Sequence, residues 1–184
     1  MGKADPSQVE VVKPTLSELT PGLLDGFQRY QEVNQVWRVV DARKVLVACA
    51  YTEDWDKRRL ERVVREQLAP CLEEGGAVWI ARRDGRPVAF AALLSPFFGS
   101  HNQYLELRQL QVSRDYRGFG LGQKLFNLVC EEARTRGAGK LYISAHSALA
   151  SQQFYTRIGC TDAEETNAVL VEREPHNIQM EYQL

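Results

Sequence analysis

No apolar run in these 184 residues approaches the ~20 that an α-helix needs to cross a bilayer, so no membrane-spanning helix and no membrane partner is expected. The opening residues MGKADPSQVE also lack the apolar stretch of a secretory leader, which makes the cytoplasm the expected location. Pro6 stands where a myristoylation motif wants Ser or Thr, which argues against a lipid anchor. Cysteine and histidine are too sparse and scattered for a metal site or a disulfide framework. Cys49, Cys71, Cys130 and Cys160 form no CxxC pair, and His101, His146 and His176 have no ligand spacing. Free, mostly buried thiols and chemistry without a metal are expected. The formal net charge of −1 provides no broad basic field for nucleic acid, although a local basic groove stays open. Internal repeats, low-complexity tracts and Ser/Pro/Gly-rich linkers are absent too. A single domain over 1–184 is expected, with residues 1–7 disordered.

What is present is an ordinary globular balance, 44% hydrophobic and 26% charged. Val9 to Val12 reads as an edge strand. Pro21 after Thr20, followed by Leu23, Leu24, Phe27 and Tyr30, predicts a first helix. Residues 31–53 mix helix-like and strand-like signals and stay unassigned. Between Asp54 and Leu72 the apolar residues Leu60, Val63, Val64, Leu68 and Leu72 recur at helical spacing. Asp84-Gly85 joins two β-rich runs into a hairpin over 77–94, and Tyr104 to Val112 alternates as a third strand. A Gly-rich loop then leads into a helix with Leu121, Leu125, Leu128, Val129 and Ala133 on one face. A strand at 140–145 and a short helix at 148–158 follow. Ala168 to Arg173 and Ile178 to Leu184 read as a closing strand pair, whose exposed edge would allow pairing across a two-fold in a homodimer.

The loop Arg117–Gly122, RGFGLG, carries the chemistry. A Gly-rich turn feeding a helix offers free backbone N–H groups and the positive end of the helix dipole, which together favour a phosphate or pyrophosphate. Glycines at 118, 120 and 122 let the backbone approach such an anion, and Arg117 and Lys124 add positive charge. No Gly-Lys-Ser/Thr closes the loop as in a P-loop, and the early parallel βαβ unit of a dinucleotide fingerprint is missing. Taken alone, the glycines are also compatible with a tight strand-to-helix connection, the lesser of the two readings.

Two linked stretches resolve the ambiguity by resemblance. ELRQLQVSRDYRGFGLGQKL at 106–125 and SQQFYTRIGC at 151–160 resemble the GCN5-related N-acetyltransferases, in that family's order and distance. Arg117, Gly120 and Gly122 match its Arg/Gln-x-x-Gly-x-Gly/Ala signature, Leu110 and Val112 its strand end, and residues 154–159 its Phe-Tyr-x-Arg/Lys-x-Gly helix end. The likeness covers about 77–160 well and the first 75 residues weakly. It implies an α+β (α/β) fold with a mixed, mostly antiparallel central sheet of six to seven strands and helices on both faces. It further implies acetyl-CoA as cosubstrate, lying between two splayed strands.

On that resemblance, the cofactor contacts are Leu110, Gln111 and Val112 for the pantetheine; Arg117, Gly118, Phe119, Gly120, Leu121, Gly122, Gln123 and Lys124 for the pyrophosphate; and Ser151, Phe154 and Tyr155 alongside. Acetyl transfer to an amine needs a neutral nucleophile, a donor to the thioester oxygen and a proton for the departing thiolate. The backbone N–H at Leu110 is the implied oxyanion donor and the Tyr155 phenol the implied acid, with a packed core tyrosine as the alternative. Glu106, six positions before Val112, is the first candidate base, or else a carboxylate salt-bridged to Arg108. His146 is the second candidate, and a bland surface or capping role its alternative. Many relatives carry Asn at Ala148 and Ala at Ser151, so the pantetheine contacts are expected to differ here.

The acceptor walls implied by the family fall on Tyr30, Trp37, Phe97, Phe98 and Asn102, with His146 at the cleft. No acidic cluster marks a polycation, so the amine of a small molecule or peptide is as far as the sequence reaches. Two other readings stand beside an active acetyltransferase. One is a catalytically silent acyl-CoA-binding module or sensor; the other is an ATP- or NAD-binding protein using the same loop.

Overall fold

The computed structural model describes residues 8–41 and 43–184, so the disorder expected for 1–7 lies outside the described residues. Strand β1 (Glu10–Val12) leads through two 3-10 turns, Leu16–Glu18 and Pro21–Leu24, to strands β2 (Tyr30–Val40) and β3 (Arg43–Asp54). Helices α1 (Lys57–Val63) and α2 (Ala69–Glu73) are joined by a π-helical turn at Val64–Leu68. Then come β4 (Ala77–Arg83), β5 (Arg86–Leu93), β6 (Tyr104–Val112), α3 (Leu121–Thr135), β7 (Lys140–Ala145), α4 (Leu149–Arg157), β8 (Thr161–Asp162), α5 (Ala168–Arg173) and β9 (Ile178–Gln183).

Seven strands form one sheet in the order β1-β4-β5-β6-β7-β9-β8, antiparallel everywhere except between β6 and β7. The reason is legible in β4. Its residues Ala77 to Ala81 are all buried, and alternate side chains divide between two cores. Ala77, Trp79 and Ala81 pack toward α3, which contributes Leu121, Leu125, Phe126, Val129, Cys130 and Ala133. Val78 and Ile80 pack with Leu60, Val63, Val64 and Leu68 of the α1–α2 segment. A strand covered on both faces reads as a continuous apolar run, and helices on both sides are what bury it. The Asp56 side chain caps α1 by accepting from the Arg59 amide at 2.8 Å, a contact worth about 1 kcal/mol.

The structure departs from the expected first helix and closing strand pair, and it assigns the segment left open at 31–53. The helix predicted from Pro21 to Tyr30 is only the 3-10 turn Pro21–Leu24; Gly22 weakens any helix there, and Tyr30 opens β2. The unassigned residues 31–53 belong to the separate β2–β3 hairpin, which carries a bulge between Val33 and Gln35. That bulge breaks the alternation and explains the mixed signal. Ala168–Arg173 is a helix, α5, not a strand. Asn167 Oδ1 accepts from the Val169 and Leu170 amides, and only Leu170 is buried while Val169 is 70% exposed. The β-prone valines therefore misled the reading, and β9, expected as an open edge, is flanked by β7 and the short β8. The hairpin, the third strand, the helix after the Gly-rich loop and the strand at 140–145 stand where the sequence placed them.

Candidate active site

The parallel pair β6–β7 is joined only through Tyr104–Lys140, Leu105–Leu141 and Glu106–Tyr142, after which the strands part. Beyond that point β6 keeps its pairing with β5 up to Val112, while β7 keeps its pairing with β9. A bulge helps to turn β6 away. Against consecutive Ala92 and Leu93 on β5 stand Gln109 and Leu107, leaving Arg108 as the extra residue. The result is a V-shaped gap whose apex is Glu106 and whose arms are Leu107–Val112 and Ile143–Ala145.

The Gly-rich loop stands at the mouth of this gap. Gly118 and Gly120 have φ of 84° and 79°, the left-handed region that other residues enter at a cost. Among the described residues, the amides of Gly118 through Gln123 find no acceptor, and the first intrahelical bond runs from Lys124 N to Gly120 O at 2.9 Å. A row of unpaired N–H groups opening a helix of four turns has the donors and the dipole to receive an anion. Gly122 serves a different need. A Cβ there would stand 3.2 Å from the Phe154 ring, so its absence lets α3 and α4 close up beside the gap. Arg117 does not point freely at the loop: its Nε donates to Val112 O at 3.0 Å and its Nη1 to Tyr30 O at 2.7 Å, tying β6 to the start of β2.

An open cleft of about 1270 Å³ fills the gap and the space above it. Single small-ligand sites occupy roughly 300–1,000 Å³, so this one has room for two reactants. Of the residues expected at the cofactor, the cleft is lined by Leu110, Gln111, Val112, Arg117, Gly118, Gly120, Leu121, Gly122, Gln123, Ser151, Phe154 and Tyr155. Phe119 and the exposed Lys124 stand outside the lining. Of the expected acceptor residues, the cleft includes Tyr30 and His146. Trp37 lies in a second groove with Leu149 and Met180. Phe98 is stacked on Tyr104 at 5.3 Å, Phe97 is exposed, and Asn102 sits at a turn with φ of 51°, all away from the cleft lining.

Tyr155 lines the cleft, and its hydroxyl has no hydrogen-bond partner among the described residues; burial holds the phenol protonated well above its ordinary range. Glu106 is only 8% exposed. Its Oε1 lies 3.4 Å from Arg108 Nη1 and 3.6 Å from Arg173 Nη2, while Oε2 has no partner among the described residues. Burial lifts this carboxyl above the usual range, against the pull of the two guanidiniums. His146 is held differently. Its Nδ1 accepts from the Ala148 amide at 3.1 Å, which leaves Nε2 to carry the proton of the neutral ring, facing Tyr51 Oη at 3.4 Å and Glu53 Oε1 at 3.8 Å. Burial lowers its pKa, with Arg29 and Arg38 adding to the effect and Glu53 opposing it. In that tautomer the side chain presents a donor to the cleft, not a lone pair.

Sequence reasoning missed the polar floor on the α1–α2 face. Gln109 donates to Gln67 on the π turn at 2.5 Å, Gln111 donates to Gln109 at 3.2 Å, and Arg29 donates to Gln111 at 2.8 Å and to Glu53 at 2.9 Å. These residues come from four separated segments, and the only sequence signal was the polar alternation of Gln109 and Gln111. Burial raises the thiols of Cys71 and Cys130 to about 11 and of Cys160 to about 12, so these cysteines are protonated and packed. Among the described residues no His, Cys, Asp or Glu cluster could hold a metal, and no helix is long and apolar enough to cross a membrane.

A split mixed sheet with a helix N-terminus at the mouth of the split is an architecture shared with solved acetyltransferases. A nourseothricin acetyltransferase superposes with a TM-score of 0.69 at 17% identity, over 96% of this chain and 99% of that one. A Bacillus anthracis protein described as a streptothricin acetyltransferase, in complex with acetyl coenzyme A, gives 0.70 at 14% identity, over 96% and 98%. The PaiA N-acetyltransferase of Thermoplasma acidophilum, in complex with coenzyme A, gives 0.57 at 13% over 96% and 99%. At such identities the likeness is one of fold. No curated protein matches the chain in sequence. The family itself is shown independently, because the model of the acetyltransferase (GNAT) family matches residues 42–160. The chain belongs to the GNAT acetyltransferases.

Proposed function

We propose that the chain transfers the acetyl group of acetyl-CoA to an amine of a small molecule or peptide by direct attack. The observation that carries this is the parting of β6 from β7 with unpaired amides at its mouth: a gap for the pantetheine and a receptor for the pyrophosphate in one line. Backbone N–H groups of β6 beyond the bulge would face the thioester oxygen and stabilise it as it becomes anionic. Tyr155, a phenol in the cleft without a partner among the described residues, would protonate the leaving thiolate. No thiol is needed for an acyl-enzyme step, in keeping with three cysteines that stay protonated.

For the base, the geometry favours Glu106 over His146. Glu106 stands at the apex of the gap with one free oxygen, and its raised pKa suits proton abstraction. His146 Nδ1 is already engaged by the Ala148 amide. Because Glu106 is outside the cleft lining, it would act through a water. The sign follows: a base must be deprotonated, so kcat/KM falls on the acid side through a pKa above the ordinary carboxylate value. Glu106→Gln should remove that limb and lower kcat roughly 10²-fold, whereas His146→Gln should leave the limb in place. A Glu106→Gln profile identical to wild type would reject this base.

The primary test is thermal unfolding with acetyl-CoA, ATP or NAD, followed by thiol release against a panel of amines. A ligand at 100 times its Kd adds about 2.7 kcal/mol. A shift with acetyl-CoA alone and amine-dependent thiol release are expected. Binding with no turnover on any amine would instead identify a silent acyl-CoA-binding module.

A further inference from the structure

The cleft also contains buried donors with no partner among the described residues. Arg29 is 6% exposed, and its Nε and Nη2 are engaged by Gln111 and Glu53, yet Nη1 has no hydrogen-bond partner. The indole Nε1 of Trp55 is likewise buried and unpartnered. The two belong to one place. The Trp55 amide donates to Arg29 O at 3.2 Å, the Arg29 guanidinium carbon lies 5.6 Å from the Trp55 ring centroid, and both residues line the cleft. On the same ring, at 4.7 Å, rests the guanidinium of the exposed Arg59. Neither Arg59 nor the neighbouring Arg62 has a carboxylate partner among the described residues, and both line the cleft. Among the described residues Glu53 is the one carboxylate bonded to this group of cations.

Buried N–H groups are ordinarily paired, and an orphaned pair beside uncompensated cations calls for an anion. We propose that Arg29 and Trp55 form a subsite for a carboxylate of the acceptor, so that the substrate is an amino acid or another amine bearing a carboxylate. This rests on the transfer reading above. A guanidinium edge and an indole N–H offer N–H donors alone, which suits a carboxylate with two acceptor oxygens and no donor of its own. Arg59, exposed and resting on the same indole ring, adds a further positive charge beside it. The subsite lies on the α1–α2 face with Gln109, Gln111 and Gln67, whereas the amides of Gly118–Gln123 open α3 on the other side of the sheet. The acceptor would therefore be held by its carboxylate at Arg29, with its amine reaching along β6 toward Glu106.

The test is thiol release from acetyl-CoA with the common L-amino acids, β-alanine and γ-aminobutyrate, each against its own carboxamide. O-phosphoethanolamine, spermidine and an aminoglycoside complete the panel. At least one acid should exceed its carboxamide about tenfold in kcat/KM, the loss expected when a charge-assisted hydrogen bond is removed. Trp55→Phe, which keeps the ring beneath Arg59, should lower the acid-to-amide ratio about tenfold, with Arg29→Lys as the second variant. The acetyl-CoA thermal shift of the Trp55→Phe protein should equal that of wild type. Four outcomes overturn the proposal. They are carboxamides as good as the acids; phosphoethanolamine preferred to every acid; turnover of spermidine or the aminoglycoside alone; and a weakened acetyl-CoA shift in Trp55→Phe, which would give the anion site to the cofactor's phosphates. A wild-type protein that acetyl-CoA does not stabilise would bring down the transfer reading and this subsite together.

Discussion

At the residue scale, the distinction that matters is between side chains whose polar atoms are satisfied inside the protein and those left waiting. Tyr104 donates to Glu181 and Tyr142 accepts from the Asn167 amide, so both are structural. Tyr155, beside Phe154 with ring centroids 5.1 Å apart, keeps an unpaired hydroxyl in the cleft. Tyr155→Phe should therefore lower kcat about 10²-fold with a melting temperature within a degree or two of wild type, measured by steady-state assay and differential scanning fluorimetry on one preparation. A drop in melting temperature with kcat intact would mark a packing tyrosine. Tyr155 was legible in the sequence because Phe-Tyr-x-Arg/Lys-x-Gly is a local pattern. Arg29, Glu53 and Trp55 were not, because their meeting depends on how the 30–54 hairpin closes onto β6, and no spacing along the chain encodes that.

Elements were legible in proportion to the regularity of their burial. Helix α3 buries one clean face, and β4 and β5 are covered on both sides, so period and composition agreed with the structure. The β2–β3 hairpin buries only Val33 and Val36, on either side of its bulge, and leaves Val39, Val40, Val45, Leu46 and Val47 exposed, so its pattern gave no regular period to read. Helix α5 depends on the Asn167 cap and one buried leucine, against the preference of its valines. The junction of α2 and β4 shows how narrowly a connection can be set. A Cβ on Gly76 would meet Leu93 O at 2.5 Å and Cys71 O at 2.6 Å, both backbone atoms on packed elements. Gly76→Ala should destabilise the protein by about 2–3 kcal/mol, near the upper end of overpacking effects, as a lower urea midpoint at unchanged m-value. An unaltered midpoint would show that this junction yields.

On the scale of the whole molecule, the sheet is two half-sheets. One is β1-β4-β5-β6 and the other β7-β9-β8, held by the short run of pairs from Tyr104–Lys140 to Glu106–Tyr142 and by α3, which packs on both β6 and β7. A ligand lying along the gap would bridge both halves, so its effect should be felt across the full chain, not at the pocket alone. Hydrogen–deuterium exchange should show acetyl-CoA slowing exchange in Leu107–Val112 and Ile143–Ala145 together. Protection confined to the Gly118–Gln123 loop would mean that the cofactor touches only the mouth. The same parting has a mechanical corollary. A short seam between two otherwise continuous ladders is a hinge, and a molecule laid across it is a splint, so the empty enzyme should flex open and shut while the loaded one behaves as a single rigid plate.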